Sequence, residues 1–307
     1  MKSWGGLEAG KVVHPEVGLI GPHLYLAYGP LNSQQSGTVL AKDKGKAAIE
    51  AGDESTLKLA LMPDPDNSTW APREGQRVEM ALALMNRFGT LGGRSRNGWG
   101  SFELLSVSGT AQLPAALDPR AVRPWQDAFA LVWRHVLDWP HAIGCNSGKT
   151  SAPLIWQTTE TFADWGLAMQ RLAEIKIGLR TQFEIADKGP HREPLDRHWL
   201  SYPIAEKHRV TAWRGARLPN SLRFRLRRDA ADPTRLRAVI FHIPCLPPTQ
   251  FKPDLAAIVP VWQAVHSLLD EMCEDPSKRS YTTIADAGHL SKLKPQLDGI
   301  LLKRVLT

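Results

Sequence analysis

The residues best suited to chemistry lie in a run of glycines. Gly89-Thr90-Leu91-Gly92-Gly93-Arg94-Ser95-Arg96-Asn97-Gly98-Trp99-Gly100 carries five glycines in twelve positions. Glycine reaches positive φ and lets a ligand approach the backbone. Arg94 and Arg96 add forked, permanently charged donors that suit phosphate. Trp99 offers a flat face on which a base could stack. A helical pattern precedes the loop and a strand pattern follows it, so the loop lies at the negative end of a helix dipole. A P-loop or dinucleotide-binding turn has the reverse order, and its spacing would require glycine where Glu103 stands. An anion bound here must therefore be held by arginine and backbone N–H groups. The candidate binding residues are Gly92, Gly93, Arg94, Ser95, Arg96, Asn97 and Trp99. The competing reading is a surface hairpin that needs glycine for its turns.

A second cationic feature lies downstream. Between Lys207 and Arg237 stand ten Lys or Arg residues against two acids, Asp229 and Asp232, while the whole chain of 307 residues carries a net charge of +7. In Leu222-Arg223-Phe224-Arg225-Leu226-Arg227, apolar and basic residues alternate. A strand would set the three arginines on one face at roughly 6.5 Å intervals, a ladder able to follow an extended phosphate backbone. Like charges in a row repel and call for a stabilising partner. Lys207, Arg209, Arg214, Arg217, Arg223, Arg225 and Arg227 complete the expected RNA-binding set. A solvated outer strand face is the alternative. The pI of about 9.4 favours polyanionic partners, nucleic acid before anionic membrane.

Other chemistries fit less well. Gly144-Cys145-Asn146-Ser147-Gly148-Lys149-Thr150 imitates a nucleotide-binding loop but has three residues between its glycines where four are needed. His135, His141 and Cys145 match no zinc spacing, so no metal and no cofactor is expected. His208, between Lys207 and Arg209, could serve as a general base beside cations, the parts of a metal-independent RNA endonuclease, but no second histidine is placed by spacing. A scaffold whose arginines meet acidic protein neighbours is the third possibility. Three widely separated cysteines fit a reducing cytoplasm, and neither a secretory leader nor a membrane-spanning run is expected.

The elements that must position these residues follow from periodicity. Strands are expected at Thr38–Ala41, Thr56–Leu61, Ser101–Ser106, Leu154–Thr158, Leu222–Arg228 and Leu236–Ile243. Helices are expected at Val78–Phe88, stopped by Gly89, and at Pro119–Leu137, Phe162–Gly178, Asp254–Cys273 and Leu290–Leu306. Asp64–Gly75 reads as a loop. This order suits an α+β protein of two small units with helices on antiparallel sheets, residues 1–140 and 141–307, the boundary falling between 138 and 153.

Leu91 to Ser101 resembles the glycine-rich signature of the RAMP superfamily, the repeat-associated proteins of CRISPR systems. Tyr25-Leu26-Ala27-Tyr28-Gly29-Pro30 with Ala47–Leu61, and Arg217-Leu218-Pro219-Asn220-Ser221-Leu222-Arg223-Phe224-Arg225, resemble the corresponding stretches of the first subunit of the type III-B (Cmr) effector. In the second stretch Asn220 and Ser221 stand where that subunit has Ser and Pro. The resemblance implies two ferredoxin-like (RNA-recognition-like) domains and a non-catalytic subunit. It implies that guide RNA and target RNA are held at the distal end of the complex, among other effector subunits. The family begins with a further strand and basic helix. The first domain is therefore expected to be incomplete: either the gene is split, or a partner chain completes the sheet.

Overall fold

A computed structural model describes residues 10–27, 31–34, 37–40, 51–62, 64–67, 70–105, 123–130, 134, 139, 142–146, 152–185, 189–204 and 208–305. In chain order its elements are β1 (Val12–His14), β2 (Gly18–Ile20), α1 (Pro22–Ala27), β3 (Leu31–Gln34), β4 (Gly37–Leu40), α2 (Trp70–Phe88), β5 (Arg123–Pro124), β6 (Gly144–Cys145), β7 (Ile155–Thr158), α3 (Trp165–Thr181), α4 (Asp196–Leu200), β8 (Leu222–Arg228), β9 (Leu236–His242), α5 (Leu255–Glu271), α6 (Ala287–Asp298) and β10 (Leu302–Arg304). The protein is α+β with antiparallel main pairing, as its periodicity led us to expect.

The principal sheet has four strands in the order β10-β7-β9-β8, all neighbours antiparallel. The chain enters it as strand–helix–strand–strand–helix–strand, with α3 following β7, and α5 and α6 following β9. Helices α3, α5 and α6 each start at an aspartate whose side chain accepts a backbone N–H left over from the first turn: Asp164 from Leu167, Asp254 from Ala256, Asp286 from His289. Alternation along β8 sends Leu222, Phe224 and Leu226 into the core with Leu172, Ile175 and Val265. On the other face Ile155, Val239 and Phe241 are covered by Leu84 and Phe88 of α2, with the Phe88 and Phe241 rings 5.1 Å apart.

Among the described residues, the chain before 130 contributes two-stranded pieces: β1–β2, β3–β4, and β5 lying parallel to β6. One continuous core joins Val12, Leu26, Trp125 and Phe129 to the four-stranded unit.

Several expectations need correction. Thr56–Leu61 is not a strand; residues 53–62 are exposed and belong to no ladder, so their alternation buries neither face. Of Ser101–Ser106, only Ser101 bridges, to Thr90, and the last residue lies outside the described set. Helix α2 starts at Trp70, inside the expected loop, because Pro72 falls in its first turn, where a missing N–H costs nothing. In the described part of Pro119–Leu137, Arg134 is helical as expected, but the earlier residues form β5 and a 3-10 turn at Trp125–Phe129 that ends in extended Ala130. Pairing of Arg123–Pro124 with Gly144–Cys145 occupies backbone that a first helical turn would need. The last helix stops at Asp298 and the chain continues as β10, because Leu302–Arg304 finds the free edge of β7.

Candidate nucleic-acid interface

The glycine loop is closed at its base and pressed onto the sheet. Leu91 N–H donates to Gly100 O at 2.9 Å, and Thr90 bridges Ser101. Two glycines are required by geometry. Gly98, at φ +92°, would put a Cβ 2.9 Å from Met169 Sδ, so the loop can lie on α3. Gly100, at φ +66°, would put one 1.8 Å from Leu91 O, so the turn can close. The loop then runs along the outer edge of β8: Phe224 N–H donates to Arg96 O at 3.1 Å and Leu226 N–H to Ser101 Oγ at 2.9 Å. Residues separated by more than a hundred positions thus form one surface, and the exposed edge of the sheet is protected.

This docking sorts the expected site residues. Gly92, Gly93 and Arg94 are exposed, and Ser95 and Arg96 half-buried. Burial first, and then the charge of Arg217, lowers the pKa of Arg94; burial first, and then the charge of Arg96, lowers that of Arg223. Arg87, near the end of α2, has its pKa lowered by burial first and then by the charge of Arg227. Arg223 Nε is buried without a hydrogen-bond partner. From Arg223 to Arg227 along the strand is about 13 Å, four residues of extended chain. Arginine keeps its charge here, so the row presents permanent positive charge to an anion.

Other expected residues have structural work. Asn97 is buried: its Nδ2 donates to Leu26 O at 2.7 Å, and its Oδ1 accepts from Lys176 Nζ at 2.8 Å. Trp99 packs edge-on against Trp165 at 5.8 Å and His23 at 6.4 Å, so the stacking face expected for a base is turned into the fold. Arg225 leaves the expected ladder. It is 2% exposed, donates to Phe102 O at 2.5 Å and Met85 O at 3.4 Å, and burial, with Arg227 next in effect, lowers its pKa to about 10. It ties the chain segments on either side of the glycine loop to the sheet. Arg209 and Arg214 are exposed in the segment between α4 and β8, where Arg209 O accepts from His191 N–H at 2.7 Å. Lys207 lies outside the described residues.

Two cations were missed by sequence reasoning. Arg87 belongs to the last turn of α2, two residues before the glycine that ends it, which is a readable signal. Lys176 sits within the apolar face of α3, 7% exposed, under Asn97. Burial first, then Arg180 and Arg94, hold its amine well below the usual lysine range.

Two histidine groups lie elsewhere. His208, the candidate base, stacks on His191 with ring centroids 5.8 Å apart, and His191 meets His198 at 5.4 Å. Leu195 N–H donates to His198 Nδ1 at 3.0 Å, so His198 Nε2 carries the proton it donates to His208 O at 2.8 Å. Deeper in the core, Ser221 Oγ is bonded to His242 Nε2 at 2.9 Å, and His242 Nδ1 to His266 Nε2 at 2.8 Å, with Trp262 stacked on His242 at 4.2 Å. Burial keeps both rings neutral, His266 at about 3. Among the described residues no cluster of His, Cys, Asp or Glu could hold a metal ion, and no helix is long and apolar enough to cross a membrane.

Compared with known proteins, the chain matches no family model, no curated protein and no solved structure.

Proposed function

We propose that this chain is a non-catalytic RNA-holding subunit of a type III CRISPR ribonucleoprotein effector, working in the cytoplasm and gripping guide or target RNA along the glycine loop and β8. One observation carries the reading. Arg94 and Arg96 of the loop, Arg217 ahead of β8, Arg223 and Arg227 of β8 and Arg87 of α2 are near enough for Arg217 to lower the pKa of Arg94, Arg96 that of Arg223 and Arg227 that of Arg87. Such a row favours a phosphate backbone. The order β10-β7-β9-β8 supports reading residues 141–307 as a ferredoxin-like unit. Residues 53–62, unladdered and with Leu57, Leu59 and Leu61 exposed, suit pairing with another effector subunit that completes the first unit. The test is binding of single-stranded RNA by the protein and by Arg96→Ala/Arg223→Ala. Loss of affinity with an unchanged melting temperature supports the reading; equal affinity sinks it.

A second reading, a metal-independent endoribonuclease, is favoured by the stacked His191 and His208, since acid–base cleavage needs two proton-transfer groups. RNA shortened by the protein and left whole by His208→Ala would select it over the first.

A further inference from the structure

Lys176 is a basic residue in a stretch of helix that is otherwise buried and apolar. It stands between Ile175 and Ile177, both 0% exposed, and is itself 7% exposed. Its Nζ donates to Asn97 Oδ1 of the glycine loop at 2.8 Å and lies 5.4 Å from the centre of the Tyr25 ring. Among the described residues no carboxylate pairs with it. Taking an ammonium out of water without such a partner disfavours its charged form. A neutral amine still donates the one hydrogen bond that seats Asn97. The charged groups around it act in the same direction. After burial, Arg180, one helical turn along α3, and then Arg94 of the loop lower its pKa. Behind Tyr25 lies His14 of β1, their ring centroids 5.9 Å apart, and His14 Nδ1 accepts from the backbone N–H of Glu16 at 3.3 Å. The Glu16 carboxylate is itself taken by Arg197 of α4.

We propose that Lys176 takes up a proton when RNA settles on the glycine loop, so that the grip on the phosphate backbone is coupled to a charge that appears beneath it. The inference rests on the RNA-holding reading and adds to it how that site responds to pH. The positive charge of Arg94 reaches Lys176 from the loop surface. A phosphate held at that surface acts on Lys176 with the opposite sign. The empty loop is thus seated on an amine that resists charging, and the occupied loop gains a cation on its inner side. Linkage fixes the direction: the factor by which RNA tightens the proton on Lys176 is the factor by which the proton tightens RNA. Affinity is therefore constant below the midpoint of the free chain. It falls as pH rises through the window between the free and bound midpoints, and it levels off above the bound one.

The experiment uses the full chain, labelled with carbon-13 in its lysines, and a single-stranded 2′-O-methyl RNA, which survives alkaline pH. The Lys176 Cε resonance is followed by NMR from acid to alkaline pH, with and without RNA. In the free chain it should titrate well below the exposed lysines, and RNA should raise its midpoint by about one unit, a tenfold change in proton affinity. Calorimetric titrations with the same RNA in buffers of different ionisation enthalpy should show net proton uptake in that window. Lys176→Met should abolish the uptake while RNA still binds, and Tyr25→Phe, which keeps the ring, should retain it. A Lys176 resonance that titrates with the exposed lysines, or a midpoint that bound RNA leaves in place, overturns the coupling while the RNA-holding reading stands. Uptake that survives Lys176→Met belongs to another group and overturns it too. If Lys176→Met fails to fold, the two NMR midpoints of the unchanged chain decide. If the unchanged chain binds no RNA, the RNA-holding reading fails and the coupling with it.

Discussion

At the β10 edge of the sheet, Arg304 donates to both carboxylate oxygens of Asp270, at 2.7 and 2.9 Å, and to Pro153 O, with its guanidinium 4.2 Å from the Trp156 ring centre. Arg237 of β9 pairs with Asp229 and the carbonyls of Thr158 and Thr159. On α3, Arg171 lies between Glu160 and Glu174. At the β8 edge, Arg96 lowers the pKa of Arg223, Arg217 that of Arg94, and Arg227 that of Arg87. The same residue type is used as internal mortar on one side and gathered in like-charged pairs on the other. The basic character of the chain is therefore local. Average composition would spread it, whereas docking of the glycine loop concentrates it.

The comparison can be broken most forcefully with acid. Burial, opposed by Glu16 and assisted by Arg197 and Arg180, lowers His14 to about 4, and burial lowers His266 to about 3. A base with a depressed folded pKa adds stability that is present above its unfolded value near 6.5. That stability is lost as pH falls through the window down to 3–4, because the unfolded chain binds more protons there. His14 alone represents about 3 kcal/mol over that window. The melting temperature should fall steadily below pH 6.5. RNA affinity, measured where the fold persists, should not weaken, because arginine does not titrate there. Parallel loss of both would show that the interface depends on the histidine core.

Arg225 and Arg223 share one face of β8 two residues apart and should behave in opposite ways. Arg225→Ala leaves two carbonyls without their donor and should cost about 2–3 kcal/mol in urea unfolding. Arg96→Ala/Arg223→Ala should change stability by less than about 0.5 kcal/mol, yet weaken RNA binding at least about tenfold, roughly 1.4 kcal/mol or more. The smallest effect is expected at Arg228. Its pair with Glu103 at 2.9 Å is half exposed on both sides, so Arg228→Ala should move neither melting temperature nor affinity beyond a few tenths of a kcal/mol. A large stability loss there would mean that the division between the two edges is drawn wrongly.

Much of this was legible in the sequence where period and caps agree. The β8–β9 hairpin, α3 behind Asp164 and α5 behind Asp254 follow from alternation, helical stripes and capping aspartates. That the two arginine-bearing motifs form one site was not legible, because the bond from Phe224 to Arg96 spans 128 residues and leaves no local trace. The strand pattern correctly put Arg223, Arg225 and Arg227 on one face, but only packing decides that Arg225 is covered by Phe102 and α2 while its neighbours are not. Trp99 reads as a stacking platform by type, and its partners Trp165 and His23 lie on other elements. Thr56–Leu61 fails for the converse reason: alternation describes a strand, but a strand exists only where a neighbour completes its ladder.

The most direct test of the central claim is the salt dependence of single-stranded RNA affinity for the unchanged chain and for Arg96→Ala/Arg223→Ala. Each phosphate neutralised contributes a slope of about −0.7 in a plot of log affinity against log salt. The loop and β8 together should engage about four phosphates, giving a slope of about −3, and removing two arginines should flatten it by about one to one and a half. A slope near zero, or one that the double substitution leaves unchanged, would contradict the assignment of this surface to RNA.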